Sequence, residues 1–247
     1  MTLYQLLAKV NFFAGKDKRG KTFKITEFND LLPTVQDKLY NDELAVLVAG
    51  DVQNIPPYRL SITPLRPFIS SSIISMNSGI GSLPSNYRRF VNLTANYREV
   101  DVITQSEFNS KRTSPFRRPS VNPFCYIVRL SVVMLPQDIP VIECNYFRDP
   151  TTPYYDYCQD SATLNDIYMP VGSRVYLNDS NVPCLYDNTG VLLASAVEKE
   201  VTYPIVSQTV ELEWETIYHD KFVMSLLSAV GVNLDKADLA QYAEAKQ

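Results

Sequence analysis

The sequence has few of the residues on which many catalytic and metal sites depend. Its 247 residues include one histidine, so zinc sites built from two or three histidines are excluded. The four cysteines are far apart and form no Cys-x-x-Cys pair, so we expect buried thiols, with a metal or disulfide role as the alternative. There is no Gly-x-Ser-x-Gly elbow, and the pair Gly79 and Gly81 lacks the Gly-Lys-Ser/Thr of a phosphate-binding loop. We therefore predict that the protein is not an enzyme and holds no cofactor or metal.

Strong charge of one sign and long apolar runs are also missing. The 27 acidic and 23 basic residues give a net charge of -4, which argues against a general nucleic-acid-binding surface. No stretch approaches the roughly 18 consecutive apolar residues of a membrane helix, and the first residues lack the pattern of a signal peptide. We expect a protein made in the cytoplasm, with no membrane partner and only local or incidental contact with DNA.

What the sequence does contain favours a β-rich core. Hydrophobic residues make up 45% of the chain, which is enough for a sizeable core. Two apolar runs, 124–135 and 139–147, are rich in β-branched and aromatic residues, which predicts that they pair as an antiparallel hairpin. Shorter alternating runs lie at residues 89–93, 174–177, 182–186, 191–196 and 208–214. Residues 70–82 are rich in serine and glycine and are predicted to form an exposed loop.

Helical patterns flank this core. Thr2 is placed to cap a first helix, whose apolar positions are Leu3, Leu6, Leu7, Val10 and Phe13. A second pattern starts at Thr26, where Pro33 predicts a kink or a break, and a third starts at Thr216. The sequence thus predicts an α+β fold with an antiparallel β-sandwich or small barrel core, an N-terminal helical hairpin and C-terminal helices. The corresponding regions are residues 1–50 for the N-terminal helices, 51–215 for the β-rich core and 216–247 for the C-terminal helices.

One proline-stiffened segment, residues 111–119, concentrates positive charge. Its basic and aromatic side chains are Lys111, Arg112, Phe116, Arg117 and Arg118, and Arg148 has the same chemistry elsewhere. Such a loop can meet phosphate groups or the acidic surface of a neighbouring protein. Because the net charge is negative and no series of stacking aromatics accompanies the loop, we favour protein contact.

Three carboxylates alternate with apolar residues further along the chain. Glu211, Glu213 and Glu215 fall on one face of the strand predicted at residues 208–214, and Trp214 falls on the other. One interpretation of these three carboxylates is a metal or acid–base cluster. Like charges on one face are usually solvated or matched by basic residues of a neighbour, so we predict subunit or partner contacts. We interpret His219, at the start of the next helix, as a surface or capping residue rather than a catalytic base.

Several short segments, taken in chain order, resemble a known family of structural proteins. They are residues 25–32 (Ile-Thr-Glu-Phe-Asn-Asp-Leu-Leu), 99–108, the Ser114-Pro115 pair with Pro119, 146–153 (Tyr-Phe-Arg-Asp-Pro-Thr-Thr-Pro), 210–214 (Val-Glu-Leu-Glu-Trp), Leu226, 231–234 and the Tyr242-Ala243 pair. In this order they resemble the proteins that build neck and tail rings in crAss-like and related tailed phages of Bacteroidetes.

The resemblance implies a virion structural protein that forms a closed ring of twelve copies in the neck or tail. It implies the portal protein and adjacent ring proteins as partners, with double-stranded DNA passing through the lumen as cargo. Local patches of opposite charge and helices with apolar faces agree with head-to-tail contacts between copies. Two alternatives stay open: a β-sandwich module that binds a carbohydrate or receptor through its tyrosines, and a hydrolase that uses Glu211, Glu213 or Glu215.

Overall fold

The chain folds into two compact units. The computed structural model describes residues 1–16, 23–48, 64–113, 122–199 and 203–229. The first unit combines Met1–Tyr40 with Thr151–Gln247, and the second is Asn41–Pro150. The β-rich residues after position 150 therefore belong to the same unit as the N-terminal helices.

The second unit is a β-sandwich of two four-stranded sheets. Its strands are β1 (Ile69–Ser75), β2 (Ile80–Ser82), β3 (Tyr87–Ala95), β4 (Arg98–Glu99), β5 (Asp101–Val102), β6 (Phe124–Val128), β7 (Ser131–Leu135) and β8 (Val141–Arg148). The sheet orders are β1-β8-β3-β4 and β2-β7-β6-β5, and only the β5–β6 pair is parallel among these described strands. Buried side chains of both sheets, such as Leu93 and Cys144 from one and Cys125 and Met134 from the other, form one core. The predicted sandwich and α+β class are thereby confirmed.

The predicted pairing of runs 124–135 and 139–147 is wrong. The first run folds back on itself as the β6–β7 hairpin, with Phe124 opposite Leu135 and a turn in which Arg129 has a φ of +53°. The second run becomes β8, the strand that lies between β1 and β3 in the other sheet. A run of twelve residues, ten of them apolar, is longer than an average strand, which leaves room for a turn inside it.

The serine-rich residues 70–82 are also not a loop. Residues from Ser70 to Ser75 belong to β1, which pairs with β8, and Ile80–Ser82 is the edge strand β2. Serine has low strand propensity, but Ile74 and its partner Ile142 are buried in the sandwich core, and this packing outweighs the local preference.

The helix α3 (Gln105–Thr113) begins with a reciprocal cap. The backbone N–H of Glu107 donates to Thr104 Oγ1 at 3.3 Å, and the backbone N–H of Thr104 donates to the Glu107 carboxylate at 3.0 Å. These bonds satisfy two backbone donors at the helix start. The Thr104 N–H and the Thr104 hydroxyl both donate to the Glu107 carboxylate, and they hold its pKa below the usual value. The Thr-x-x-Glu spacing was a usable sequence signal for this helix.

The first unit contains two further sheets. Its strands are β9 (Tyr157–Asp160), β10 (Asp166–Tyr168), β11 (Arg174–Leu177), β12 (Pro183–Tyr186), β13 (Leu192–Ser195), β14 (Val197–Glu198) and β15 (Ile205–Val206). The sheet orders are β10-β9-β14 and β13-β12-β11-β15. Cys158 and Val197 of the smaller sheet and Val175, Leu185 and Ile205 of the larger one share a buried core.

Two consecutive hairpins of the larger sheet, β11–β12 and β12–β13, are closed by five-residue loops that share one hydrogen-bond pattern. Residues 178–182 read Asn-Asp-Ser-Asn-Val and residues 187–191 read Asp-Asn-Thr-Gly-Val. In each loop the first side chain accepts hydrogen bonds from the N–H groups two and four residues later, at 2.8 to 3.0 Å. The fourth residue has a positive φ, 61° at Asn181 and 87° at Gly190, which asparagine and glycine adopt more readily than other residues.

The described residues of the first unit also form the α-helices α1 (Leu3–Lys16), α2 (Ile25–Val48), which extends beyond the unit boundary at Tyr40, and α4 (His219–Ala229). The Thr2 cap is confirmed, since Thr2 Oγ1 accepts from the Gln5 N–H at 3.3 Å, and all five predicted apolar positions of α1 are buried. The predicted break at Pro33 is wrong, because α2 continues through it, whereas the alternative of a kink stays a prediction. Proline inside a helix costs about 3 kcal/mol, and the burial of Leu32, Val35 and Leu39 around it offsets that cost.

Candidate functional site

The basic residues predicted as contacts lie in different settings. Lys111 and Arg112 belong to α3 rather than to a loop, and the Lys111 ammonium lies 5.9 Å from the centre of the Phe124 ring. Phe116, Arg117 and Arg118 lie outside the described residues. Arg148 ends β8, where its guanidinium donates to the Asp149 and Pro67 carbonyl oxygens at 3.3 Å and lies 5.7 Å from the Phe68 ring centre.

The strand predicted at residues 208–214 is wrong, although Trp214 is buried as expected. Its one ladder contact among the described residues is an isolated bridge between Val210 and Tyr154. The polar groups at the start of this segment bond to irregular chain instead of to a sheet: the Gln208 N–H donates to Asp156 Oδ2 at 2.9 Å, and the Thr209 hydroxyl donates to the Met169 carbonyl.

Glu211 anchors the start of α1. Its Oε2 accepts the Leu3 N–H at 2.7 Å, and its Oε1 accepts the Tyr168 hydroxyl. A carboxylate at a helix N-terminus is favoured because it satisfies a free N–H group and interacts with the helix dipole. Burial and the hydrogen bond to Glu211 raise the pKa of Tyr168, so its hydroxyl stays a donor.

Glu213 and Gln36 hold Thr151, the residue at which the chain re-enters the first unit. Glu213 Oε2 accepts the Thr151 N–H at 2.9 Å, and Gln36 Nε2 of α2 donates to the Thr151 carbonyl at 2.9 Å. Of the three predicted carboxylates, Glu211 and Glu213 are therefore engaged within the chain, whereas Glu215 is exposed.

An aromatic stack joins α1 and α2 to the β-strands of the same unit. The Tyr4 ring stacks on Tyr168 at 5.9 Å between centroids, Tyr168 contacts Tyr155 at 4.8 Å, and Tyr155 meets Phe28 edge-on at 6.1 Å. Asn29 fixes the middle of this stack, because its Nδ2 donates to the Tyr155 carbonyl at 3.0 Å and its Oδ1 accepts the Tyr155 N–H at 2.9 Å.

His219 is not a surface residue, which corrects that part of its interpretation. It is 4% exposed, and its Nε2 lies 2.8 Å from the Trp214 carbonyl oxygen. Among the described residues Nδ1 has no hydrogen-bond partner. Burial lowers the pKa of His219, so the neutral ring with the proton on Nε2 fits this site.

The four cysteines are free and buried, as predicted. Burial raises the pKa of Cys125 to about 12 and that of Cys158 to about 11. A thiol at such a pKa is protonated at neutral pH and is a poor nucleophile.

A cleft in the first unit contains chemistry that the sequence did not indicate. Its volume is about 730 Å³, and it is lined by Tyr154, Tyr157, Tyr203, Gln159, Glu198 and Lys199. We name it the tyrosine cleft. Sequence periodicity gave no signal for it, because its residues come from β9 and the segment that leads into it, from the end of β14 and the residue that follows it, and from the segment that leads into β15.

A buried ion pair forms one wall of the tyrosine cleft. Asp156 is 4% exposed, and its Oδ1 accepts from the Lys199 ammonium, which also lies 3.3 Å from the Met169 sulfur. The same carboxylate accepts the N–H groups of Tyr157 at 3.0 Å and Gln208 at 2.9 Å. The ammonium and the two N–H groups together stabilise the negative charge of Asp156, as a buried carboxylate requires.

No known family profile and no curated protein matches this sequence. Within the part of the chain that the structure describes, no three His, Cys, Asp or Glu side chains are grouped so that they can hold a metal ion. In the same ranges, no helix combines the length and the apolar character needed to cross a bilayer.

Proposed function

We propose that this protein is a structural subunit of a tailed phage that assembles into a closed ring in the neck or tail. The ring connects the portal and head to the tail, and the genome passes through its lumen. Twelve copies form the ring, and its partners are the portal protein and adjacent ring proteins. The β units maintain the shape, while the helices and long loops contact neighbouring copies.

One observation carries the proposal: residues from three of the segments that resemble ring proteins form hydrogen bonds within or close to residues 146–153. Glu213, from residues 210–214, bonds the Thr151 N–H of residues 146–153. Asn29, from residues 25–32, bonds both main-chain groups of Tyr155, two residues beyond the second segment. If these segments belong to a scaffold that the protein shares with ring proteins, they are expected to contact one another in this way. This supports a common fold more strongly than separate short likenesses do.

The charged residues provide a mode of contact between copies. Glu215 is exposed in the first unit, and Arg112 is exposed on α3 of the second. Exposed side chains of opposite charge suit head-to-tail association, which closes into a ring when the rotation between copies permits it. The remaining predicted contacts, Phe116, Arg117 and Arg118, stay predictions.

The test is the size of the purified protein, alone and mixed with the portal and other ring proteins of the same phage. A twelve-membered ring has a mass of about 340 kDa, twelve times the 28.0 kDa of the chain. Native mass spectrometry and electron microscopy are expected to show this ring, either with the protein alone or once a partner is added. A chain that stays monomeric with every virion component contradicts the proposal.

Charge reversal then tests the contact. Arg117→Glu with Arg118→Glu is expected to weaken ring formation most at low salt, because screening already reduces the attraction at high salt. Arg174→Glu, a reversal at an exposed position of strand β11 outside the proposed contacts, is the control. Normal assembly combined with loss of DNA retention in particles would assign the two arginines to the lumen instead.

A further inference from the structure

We propose that the tyrosine cleft binds a neutral saccharide. This inference is independent of ring assembly. It assigns a ligand to the first unit. The argument rests on the size of the cleft, its charge and the side chains that line it.

The size suits a small polar ligand. At about 730 Å³, the tyrosine cleft falls in the roughly 300–1,000 Å³ range of small-molecule sites. It is formed from strands β9 and β14 and from residues that adjoin them, so its walls are supported by the core around Cys158 and Val197. Sites on such elements keep their geometry better than sites on loops alone.

The charge of the lining disfavours an anion. Lys199 is the cation of the lining, and its ammonium is engaged by the buried carboxylate of Asp156. The remaining formal charge belongs to Glu198, whose side chain is exposed. A phosphate or carboxylate ligand would face Glu198 without an available positive partner, whereas a neutral ligand is compatible with this arrangement.

The side chains suit a sugar. Tyr154, Tyr157 and Tyr203 line the cleft, and each combines an aromatic ring with a hydroxyl group, a combination that is common in binding sites that stay partly exposed to water. Gln159 donates through Nε2 to Asp166 at 3.0 Å, which orients its amide and leaves Oε1 as an acceptor. A sugar offers C–H faces to the rings and hydroxyl donors to Gln159 and Glu198.

Binding is tested with maltotriose, cellotriose, mannotriose and triacetylchitotriose on the full chain, by saturation-transfer NMR and calorimetry. At least one of them is expected to bind with a Kd of about 1 mM or tighter, and the anionic 3′-sialyllactose is expected to bind more weakly. Absence of binding by all four neutral probes at about 10 mM would overturn the inference. Preferential binding of N-acetyl-lysine amide, a mimic of a protein side chain, would overturn it as well.

Two substitutions in the lining test whether the saccharide binds in the tyrosine cleft. Tyr203→Ala is expected to weaken the saccharide that binds by about tenfold, and Glu198→Gln, at an exposed position, by about threefold without disturbing the fold. Tyr97→Ala is the matched control, since Tyr97 is fully exposed in the other unit. Unchanged affinity in both Tyr203→Ala and Glu198→Gln would overturn the assignment to this cleft. Ring assembly is measured separately and does not depend on either variant.

Discussion

The side chain of Asn29 forms two hydrogen bonds with the main chain of Tyr155, 126 positions further along the sequence. An amide is the side chain that donates and accepts at once, so Asn29 satisfies both backbone groups of a residue that lies outside any sheet. This pair attaches α2 to the segment that leads into β9. It also positions Tyr155 between Tyr168 and Phe28.

We expect Asn29→Ala to lower the free energy of unfolding by about 1–3 kcal/mol, because it leaves a part-buried N–H and C=O without partners. Asn29→Asp keeps the acceptor but loses the donor, and its charge faces the Tyr155 carbonyl, so a comparable loss is expected. Urea denaturation measures both. Asn109→Ala, the same truncation at an exposed position of α3, is the control and is expected to change stability by less than about 0.5 kcal/mol. Equal effects at the two sites would show that the Asn29 bonds are not stabilising.

Glu211→Gln tests the anchor of α1. The substitution removes the charge that interacts with the helix N-terminus and leaves one acceptor for two donors, the Leu3 N–H and the Tyr168 hydroxyl. The expected loss is about 1–3 kcal/mol of unfolding free energy, measured by chemical denaturation. Glu215→Gln, at the exposed carboxylate, is expected to leave stability nearly unchanged. A large loss in assembly from Glu211→Gln without any loss in stability would contradict a structural role and favour a direct contact.

His219 makes stability depend on pH in a defined direction. Its folded pKa lies below the ordinary 6.5 because burial disfavours the charged ring; the N-terminal amine and Lys9 act in the same direction, and the Trp214 carbonyl and Asp220 oppose it. The unfolded chain therefore binds the proton more readily. The contribution is fully present above about pH 6.5 and is lost as the pH falls through the folded pKa.

The measurement is direct, because an untagged chain has one histidine, so the imidazole Hε1 signal in its proton NMR spectrum is unambiguous. We expect this signal to titrate with a pKa below 6.5 and the protein to lose stability below that pH. His219→Gln is expected to reduce this part of the pH dependence. An imidazole pKa at or above 6.5 would contradict the buried neutral ring.

Two glycine substitutions, one in a hairpin loop and one in a helix, are expected to change stability in opposite directions. Gly190→Ala introduces a side chain at a φ of 87° and is expected to cost about 1 kcal/mol. Gly15→Ala lies within α1, where an added methyl group meets nothing within 4 Å, and is expected to stabilise by about 0.5–1 kcal/mol. Thermal unfolding of the two variants gives the comparison. Stabilisation by Gly190→Ala would mean that the loop does not need the left-handed conformation.

Several elements could be predicted from the sequence because their signals are local. Thr2 caps α1, the apolar spacing of α1 matches its buried face, and β11 at Arg174–Leu177 lies where alternation placed it. The Thr104 to Glu107 spacing was also a local signal, and reading it would have moved Lys111 and Arg112 from a loop to a helix.

Other elements could not be predicted because their partners are remote. The alternation at residues 208–214 has the period of a strand and correctly indicates a buried Trp214. It contains no information on whether a neighbouring strand is available, and the Gln208 N–H donates to the Asp156 side chain instead. The residues of the tyrosine cleft are also far apart in the sequence, since Asp156 and Lys199 are separated by 43 positions.

By itself the sequence determined the buried face of α1, the burial of Trp214 and the position of strands such as β11, because periodicity, caps and turn residues act within a few positions. Only the tertiary structure decided that one apolar run is a hairpin, that β8 lies in the opposite sheet, and that Glu211 holds a helix 208 positions away. The physical reason is that strand pairing and side-chain hydrogen bonds are chosen by proximity in space, which the packing of the whole chain creates.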